Sequence, residues 1–189
     1  MRAVSDEQLI EWVARGDPSC LGTLFERHHR GVYQYCRQMT RHSAQAEDLV
    51  QEVFLRILRK AGSFRQEGSF KAWLFNIARN TTLDHLRQAK RRGDLAPVEE
   101  STEQQLVDHR SAEDAAAANQ NVNFVARALA NLPTAVQEVI WLGRFEFDTY
   151  EELGQALGCK AATARVRMHR AMQQLNVEFE SINGAPIDV

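Results

Sequence analysis

Apolar residues along this chain recur at helical spacing, and no segment shows the apolar–polar alternation of a half-buried strand. The most regular row lies between Ser43 and Lys60 and comprises Ala46, Leu49, Val50, Val53, Phe54, Ile57 and Leu58. The opposite face carries Glu47, Asp48, Gln51, Glu52, Leu55 and Arg56. Such a face suits either solvent or the helices of another protein, and the residues alone favour solvent.

Capping signals mark the other helices of the first half. Ser5 and the glutamine three residues later form a capping-box pattern for a first helix. Asp17 followed by Pro18 starts a second helix, since proline suits the first helical position. After residues 61–68, a fourth helix is predicted over residues 69–92. Its expected inward row is Phe70, Trp73, Leu74, Ile77, Ala78 and Thr81.

The fourth helix and the loop before it combine aromatic, amide and basic side chains. This is the chemistry that holds single-stranded nucleic acid, because bases stack on rings, amides read base edges and cations follow phosphates. The residues concerned are Phe64, Lys71, Trp73, Asn76, Arg79, Asn80 and Arg87, with the carboxylate Asp84 among them. Packing in the core is the alternative for this segment, and it is favoured for most of the Trp73 ring.

Residues 149–175 contain a short helix, a glycine turn and a longer basic helix. Thr149 and Glu152 make a capping box, and Gly158 allows a sharp turn. The longer helix has the apolar stripe Ala164, Met168, Ala171, Met172 and Leu175. Its opposite face carries Ala162, Thr163, Val166, His169 and Arg170, flanked by Arg165 and Arg167. This helix-turn-helix pattern favours binding in the major groove of DNA, and a solvated helical hairpin is the alternative.

Charge is unevenly distributed along the 189 residues, although the net charge is only −2. Residues 1–92 sum to +6, residues 93–121 to −6 and residues 122–189 to −2. The acidic stretch has few large apolar residues, which predicts a solvated linker. We therefore expect an all-α protein of two small helical domains, 1–92 and 122–180, joined by a flexible acidic linker at 93–121. Residues 181–189 are expected to form a tail.

Several protein classes lack support in the sequence. No window is long and apolar enough to span a membrane, and the N-terminus lacks the apolar core of a secretion signal. Cys20, Cys36 and Cys159 stand at wide, irregular spacing, which argues against a disulfide framework and suits a reducing cytoplasm. No zinc-site spacing, phosphate loop or nucleophile motif indicates an enzyme. No cofactor or metal is expected.

The motifs together indicate a family. The segments AEDLVQEVF (residues 46–54), FKAWLFNIARN (70–80) and DHLR (84–87) resemble the second conserved region of bacterial sigma factors. The segments LANLP (129–133), TYEELG (149–154) and TARVRMHRA (163–171) resemble the fourth region. Two such regions joined by a short linker resemble the extracytoplasmic-function (ECF) class, and the likeness covers nearly the whole chain apart from the linker and the last residues.

The resemblance implies a role for each surface. The third helix would bind the β′ clamp helices of core RNA polymerase through Asp48, Gln51, Glu52 and Leu55. The −10 element would be captured, as it opens, by Phe64, Arg65, Lys71, Trp73, Asn76, Asn80, Asp84 and Arg87. The −35 element would be read as duplex by Thr163, Arg165, Val166, Arg167, His169 and Arg170. The domain that carries them would pack on the flap of the β subunit.

The resemblance also implies partners and leaves one alternative function. The partners are core RNA polymerase, promoter DNA and an anti-sigma protein, for a cytoplasmic chain without membrane insertion. Residues 160–164 replace the proline, glycine and valine usual in the family's turn, but Gly158 should still allow the turn. Val166 replaces a commoner small polar residue. The alternative is a free-standing helix-turn-helix regulator, which would bind as a dimer and leaves the aromatic–amide helix unexplained.

Overall fold

The computed structural model describes residues 4–65, 68–93 and 123–183. Every regular element within these ranges is helical, which confirms the all-α fold. In the first half lie α1 (Asp6–Ala14), α2 (Ser19–Thr40), α3 (Ser43–Lys60) and α4 (Phe70–Arg92). In the second half lie α5 (residues 123–131), α6 (Thr134–Trp141), α7 (Tyr150–Leu157) and α8 (Ala161–Asn183). The linker expected at 93–121 lies, apart from Gly93, outside the described residues.

Hydrogen bonds at the helix starts fix α1 and join it to α4. The side chain of Ser5 accepts from the Gln8 backbone N–H at 3.3 Å, and the Gln8 side chain accepts from the Ser5 N–H at 3.3 Å, which confirms the capping box. The Ser69 hydroxyl caps the start of α4. The Phe70 N–H donates to Oε1 of Glu7 at 3.2 Å, so α1 supplies a further acceptor to the N-terminus of α4.

Helices α1 to α4 form the first bundle, whose core follows the helical spacing of the sequence. Its fully buried side chains include Ile10, Leu24, Val32, Val53, Ile57, Phe70 and Leu74. Leu58, which was expected in this core, is 41% exposed. Phe54 and Ile57 already fill the inward positions at the end of α3. Leu58 therefore lies beside Leu55, one turn earlier on the exposed face.

Helices α6 to α8 form the helix-turn-helix bundle. The Thr149 hydroxyl accepts from the Glu152 backbone N–H at 3.3 Å and caps α7. The Glu152 carboxylate accepts from the same hydroxyl at 3.2 Å and not from the Thr149 backbone N–H, so only half of the predicted capping box forms. Gly158 ends α7 with a left-handed φ of +66°, so the turn forms despite the departure at residues 160–164. A Cβ at Gly154 would lie 2.7 Å from the backbone oxygen of Cys159, so α7 and the turn approach each other as closely as glycine allows.

The long helix α8 buries the predicted stripe and continues past it. Ala164, Met168, Ala171 and Leu175 are buried, while Met172 is half-buried against the core. The helix runs to Asn183, into the segment 181–189 that was expected to be a tail.

The two bundles pack against each other, an arrangement that the sequence pattern does not predict. Helix α4 lies along α7, and α2 contacts α6. The Arg41 guanidinium of the first bundle donates to the Ala130 carbonyl of α5 at 3.0 Å. No helix in the described ranges is long and apolar enough to cross a membrane.

Candidate nucleic-acid interfaces

The recognition face expected on α8 is open to solvent. All of its assigned residues are exposed: Thr163, Arg165, Val166, Arg167, His169 and Arg170. They lie opposite the buried stripe of the same helix, so packing against α7 holds the helix while leaving this face free. Val166 is 49% exposed, which places an apolar surface among the guanidinium groups. That combination can contact phosphates, base edges and a thymine methyl group.

A groove of about 660 Å³ runs beside this face and includes side chains that no pattern in the sequence marks. One wall is formed by α8, including Arg165 and His169, and the other includes Arg144 and Tyr150. The Arg165 guanidinium carbon lies 5.2 Å from the centre of the Tyr150 ring, a cation–π contact. Arg144 lies in the π-helical turn Leu142–Glu146, where no amphipathic period marks it.

The aromatic part of the proposed −10 site is assembled at the start of α4. The Phe64 and Trp73 ring centres are 5.4 Å apart at an interplanar angle of 67°, and both rings pack on buried Phe70. Phe64 and Trp73 are each half-buried, and Arg65 beside them is exposed. Trp73 thus combines packing with an accessible part of its ring, so the two interpretations of this residue are compatible.

The C-terminal part of α4 presents a polar stripe. Asn80, Asp84 and Arg87 are exposed at spacings of four and three residues, so they share one face of the helix. Arg87 donates to Asp84 at 3.0 Å, and Arg56 of α3 reaches the same carboxylate at 4.0 Å. Asp84 and Arg87 are exposed and Arg56 is half-buried, so these pairs orient side chains and contribute little to stability.

Two further −10 candidates, Lys71 and Asn76, contact the second bundle. Nζ of Lys71 lies 2.8 Å from Oε2 of Glu146 and donates to the Glu146 carbonyl at 2.6 Å. The Asn76 amide donates to the carbonyls of Gln155 and Ala156 at 3.3 and 3.1 Å. The structure therefore divides the predicted −10 set into exposed or half-buried residues of the first bundle and a pair that contacts the second bundle.

The face of α3 assigned to polymerase is accessible. Asp48, Gln51 and Leu55 are exposed, and half-buried Glu52 accepts from Arg56 Nε at 2.7 Å. Leu58 extends the apolar surface of Leu55. The sequence pattern did not assign Leu58 to this face, because Leu58 also fits the apolar row of α3. Two adjacent leucines rimmed by acidic and amide groups are suited to contact with another helix.

The remaining titratable groups do not assemble a metal site within the described ranges, where no cluster of three or more His, Cys, Asp or Glu residues could hold an ion. Cys20, Cys36 and Cys159 are free thiols. Burial raises the pKa of the Cys36 thiol to about 11, which keeps it protonated at neutral pH.

Comparison with known proteins relates both bundles to one family. Residues 24–92 match sigma-70 region 2, and residues 125–175 match sigma-70 region 4. The chain is 35% identical over 179 residues to the ECF RNA polymerase sigma factor SigM of Mycobacterium tuberculosis, which covers 91% of this chain and 87% of that protein.

Two solved structures share the fold. One is CnrH in complex with the cytosolic domain of CnrY, with a TM-score of 0.66, 24% identity and coverage of 93% of this chain and 97% of that chain. The other is the sigma factor RpoE in complex with the anti-sigma factor NepR from Bartonella quintana. Its TM-score is 0.63 at 25% identity, with coverage of 86% of this chain and 97% of that chain.

Proposed function

Because this chain belongs to the sigma-70 family and to its ECF class, we propose that it binds core RNA polymerase and directs it to promoters with defined −35 and −10 elements. The family consists of transcription initiation factors. The chain supplies promoter recognition, and the polymerase supplies the chemistry of RNA synthesis. Its place of action is the cytoplasm, where core polymerase and the chromosome are found.

The observation that carries this proposal is the separation of three surfaces on two bundles. An acidic–leucine face lies on α3, an aromatic–amide face on α4 and a basic face on α8. The first two lie within the region 2 match and the third within the region 4 match. Binding of polymerase, of opened −10 DNA and of −35 duplex can therefore be assigned to different faces of one chain.

The alternative, a free-standing helix-turn-helix regulator, uses only the α8 face. It gives no role to the paired Phe64 and Trp73 rings or to the exposed Leu55 and Leu58. It also requires a dimer that places two recognition helices one DNA turn apart.

Run-off transcription tests the proposed function. Core polymerase is incubated with and without the full chain on fragments of the chain's own genome. We expect defined transcripts only when both are present. Failure of the chain to bind core polymerase, together with binding of duplex DNA by a dimer of the chain alone, would establish the alternative instead.

Variants of single faces test the assignment of residues. Arg165→Ala or Arg170→Ala should reduce promoter-directed transcription about fivefold or more, because each removes a DNA contact of about 1–3 kcal/mol, while leaving affinity for core polymerase unchanged. Asp48→Ala combined with Gln51→Ala should weaken polymerase binding instead. Glu180→Gln, a change at an exposed position of α8 outside the assigned set, is the matched control. Equal impairment of both steps by both sets would contradict the assignment.

We further propose that an anti-sigma protein inhibits the chain by covering polymerase-binding surfaces. This rests on class membership and on the similarity to RpoE, whose structure contains the anti-sigma factor NepR. A protein that abolishes run-off transcription when added before core polymerase, but not after promoter opening, would have the expected property. Inhibition that is equally strong at both stages would argue against it.

A further inference from the structure

A buried carboxylate lies between the two bundles. Glu138 of α6 is only 2% exposed. Its Oε1 accepts from the Tyr35 hydroxyl of α2 at 2.8 Å, and its Oε2 accepts from Arg79 Nε of α4 at 3.0 Å. A carboxylate taken out of water is costly unless it is paired and hydrogen-bonded. Both partners of Glu138 come from the other bundle, so these contacts depend on the bundles remaining together.

Aromatic packing surrounds this carboxylate. Phe75 of α4 is buried, and its ring centre lies 6.0 Å from that of Tyr35, 6.4 Å from that of Trp141 and 5.6 Å from that of Phe147. Trp141 and Phe147 belong to the second bundle. Phe75 was not placed by the sequence pattern because it lies off the inward row of α4. Its burial is accounted for by the second bundle, which covers a different side of the helix.

The same contact occupies polar groups assigned to the −10 element. Lys71 is paired with Glu146 and also lies 5.4 Å from the centre of the Phe147 ring. The Asn76 amide donates to the Gln155 and Ala156 carbonyls in the last turn of α7, where carbonyls run out of helical donors. The Gln155 carbonyl also accepts from the Gly158 backbone N–H at 3.1 Å. Asn76 therefore acts as a C-terminal cap for a helix of the other bundle. DNA and the second bundle cannot use these two groups at the same time.

We propose that, in the free chain, the second bundle covers the Lys71–Asn76 side of α4. Glu138 holds it there through its bonds to Tyr35 and Arg79, and we call it the latch residue. Melted −10 DNA gains Lys71 and Asn76 only after the bundles separate. This inference rests on the proposed function for the role of those two residues. The contact between the bundles stands independently of it.

Glu138 is the residue to change, because replacing it weakens the bonds to both Tyr35 and Arg79. Glu138→Gln preserves shape but removes the charge that faces Arg79. Tyr35→Phe removes one hydrogen bond while keeping the ring in the aromatic packing, so it is the milder second variant. Glu180→Gln makes the same chemical change as Glu138→Gln at an exposed position of the second bundle and serves as the control.

The experiment uses the full chain without polymerase. Small-angle X-ray scattering measures the radius of gyration, and fluorescence anisotropy measures affinity for a labelled single strand. That strand is the non-template −10 segment of a promoter identified by run-off transcription. We expect Glu138→Gln to enlarge the radius of gyration and tighten single-strand binding about tenfold or more, since breaking a buried pair costs several kcal/mol. Tyr35→Phe should have a smaller effect in the same direction, and the control should match the parent chain.

A charge exchange provides the rescue test. Arg79→Glu alone should open the chain, and Arg79→Glu combined with Glu138→Arg should return the radius of gyration toward that of the parent. Circular dichroism confirms that each variant keeps its helical content. An unchanged radius of gyration in both Glu138→Gln and Tyr35→Phe would overturn the latch.

A further outcome separates this inference from the proposed function. If the variants open the chain but do not bind the single strand more tightly, the claim that the latch restricts −10 binding is wrong. Parent-chain run-off transcription would still support promoter recognition in that case. Loss of run-off transcription by the parent chain would instead contradict the proposed function, whatever the radius of gyration shows.

Discussion

Cys36 lies inside the first bundle, and its chemistry is set by its neighbours. It is fully buried in α2, and its sulfur lies 3.5 Å from the Thr82 hydroxyl of α4. Burial disfavours the thiolate and raises the pKa to about 11 from the ordinary value of 9.0, although the Thr82 contact acts in the opposite direction. A thiol in this environment is a small apolar core group and is protected from oxidation at neutral pH.

This shift predicts a loss of stability in alkali. The unfolded chain releases the Cys36 proton near pH 9 and the folded chain only near pH 11. The unfolded state therefore binds fewer protons across this window, so the free energy of unfolding falls as pH rises from 9 to 11. A pKa shift of this size corresponds to a total loss of about 2–3 kcal/mol in the free energy of unfolding. Urea unfolding at pH 8, 9 and 10 measures the decline.

Cys36→Ala is the matched control for this prediction. Burial and the neighbouring Glu138 carboxylate raise the pKa of Tyr35, which contributes a decline of the same sign above pH 10, and the variant leaves both causes in place. The difference between parent and variant should therefore shrink between pH 8 and 10. A constant difference across this range would show that Cys36 does not titrate as described.

At the scale of single elements, the turn between α7 and α8 depends on two glycines for different reasons. Gly158 adopts a left-handed φ of +66°, which costs other residues about 1–2 kcal/mol. Gly154 lies on the buried side of α7, where any Cβ would overlap the backbone oxygen of Cys159 at 2.7 Å. Backbone atoms cannot rotate away as a side chain can, so the helix and turn would have to separate.

Substitutions at these glycines should differ in their effect on stability, because the steric cause differs between the positions. Gly154→Ala should destabilise the second bundle by about 1–3 kcal/mol through overpacking and reduce −35 binding, because α8 changes its orientation. Gly158→Ala should cost about 1–2 kcal/mol with a smaller effect on orientation. Gly22→Ala on the exposed side of α2 meets no atom within 4 Å and should stabilise the chain slightly. Thermal unfolding by circular dichroism measures all three, and equal effects would contradict the steric account.

At the scale of the whole molecule, the packed arrangement of the bundles engages part of the proposed −10 face and leaves the other two proposed faces open. Lys71 and Asn76 are engaged, whereas Asp48, Gln51 and Leu55 on α3 and the basic face of α8 remain exposed. The packed chain can therefore bind polymerase through α3 before Lys71 and Asn76 of the proposed −10 site become available. Such an order would limit binding of free DNA, which the acidic segment 93–121 also opposes through its charge of −6.

This arrangement predicts that opening the chain leaves its first encounter with polymerase unchanged. The Kd for an isolated β′ clamp-helix fragment should agree within about twofold between the parent chain and Glu138→Gln, since the α3 face is exposed in both and a twofold change is under 1 kcal/mol. Asp48→Ala with Gln51→Ala should weaken that binding in either background. Titration calorimetry measures each Kd. Markedly tighter binding by Glu138→Gln would show that the packed arrangement also covers the α3 face.

The sequence by itself determined the helices and their inner faces, because those depend on local spacing and capping. The apolar row of α3 and the stripe of α8 predicted which sides are buried, and the Ser5 and Thr149 caps marked helix starts. The polar residues predicted to bind polymerase or DNA were those on the opposite faces of the same helices. Leu58 was misplaced, since periodicity alone does not show where neighbouring helices stop covering α3.

Only the tertiary structure decided which polar faces meet. Phe75, Glu138 and Arg144 lack a local signal: the first two are explained by the opposite bundle, and the third by the groove beside α8. Contacts between residues as distant along the chain as Tyr35 and Glu138 arise from packing of preformed surfaces, and no periodic pattern encodes them. For the same physical reason, the sequence predicted Lys71 and Asn76 as nucleic-acid ligands but did not predict their contacts with the second bundle of the folded chain.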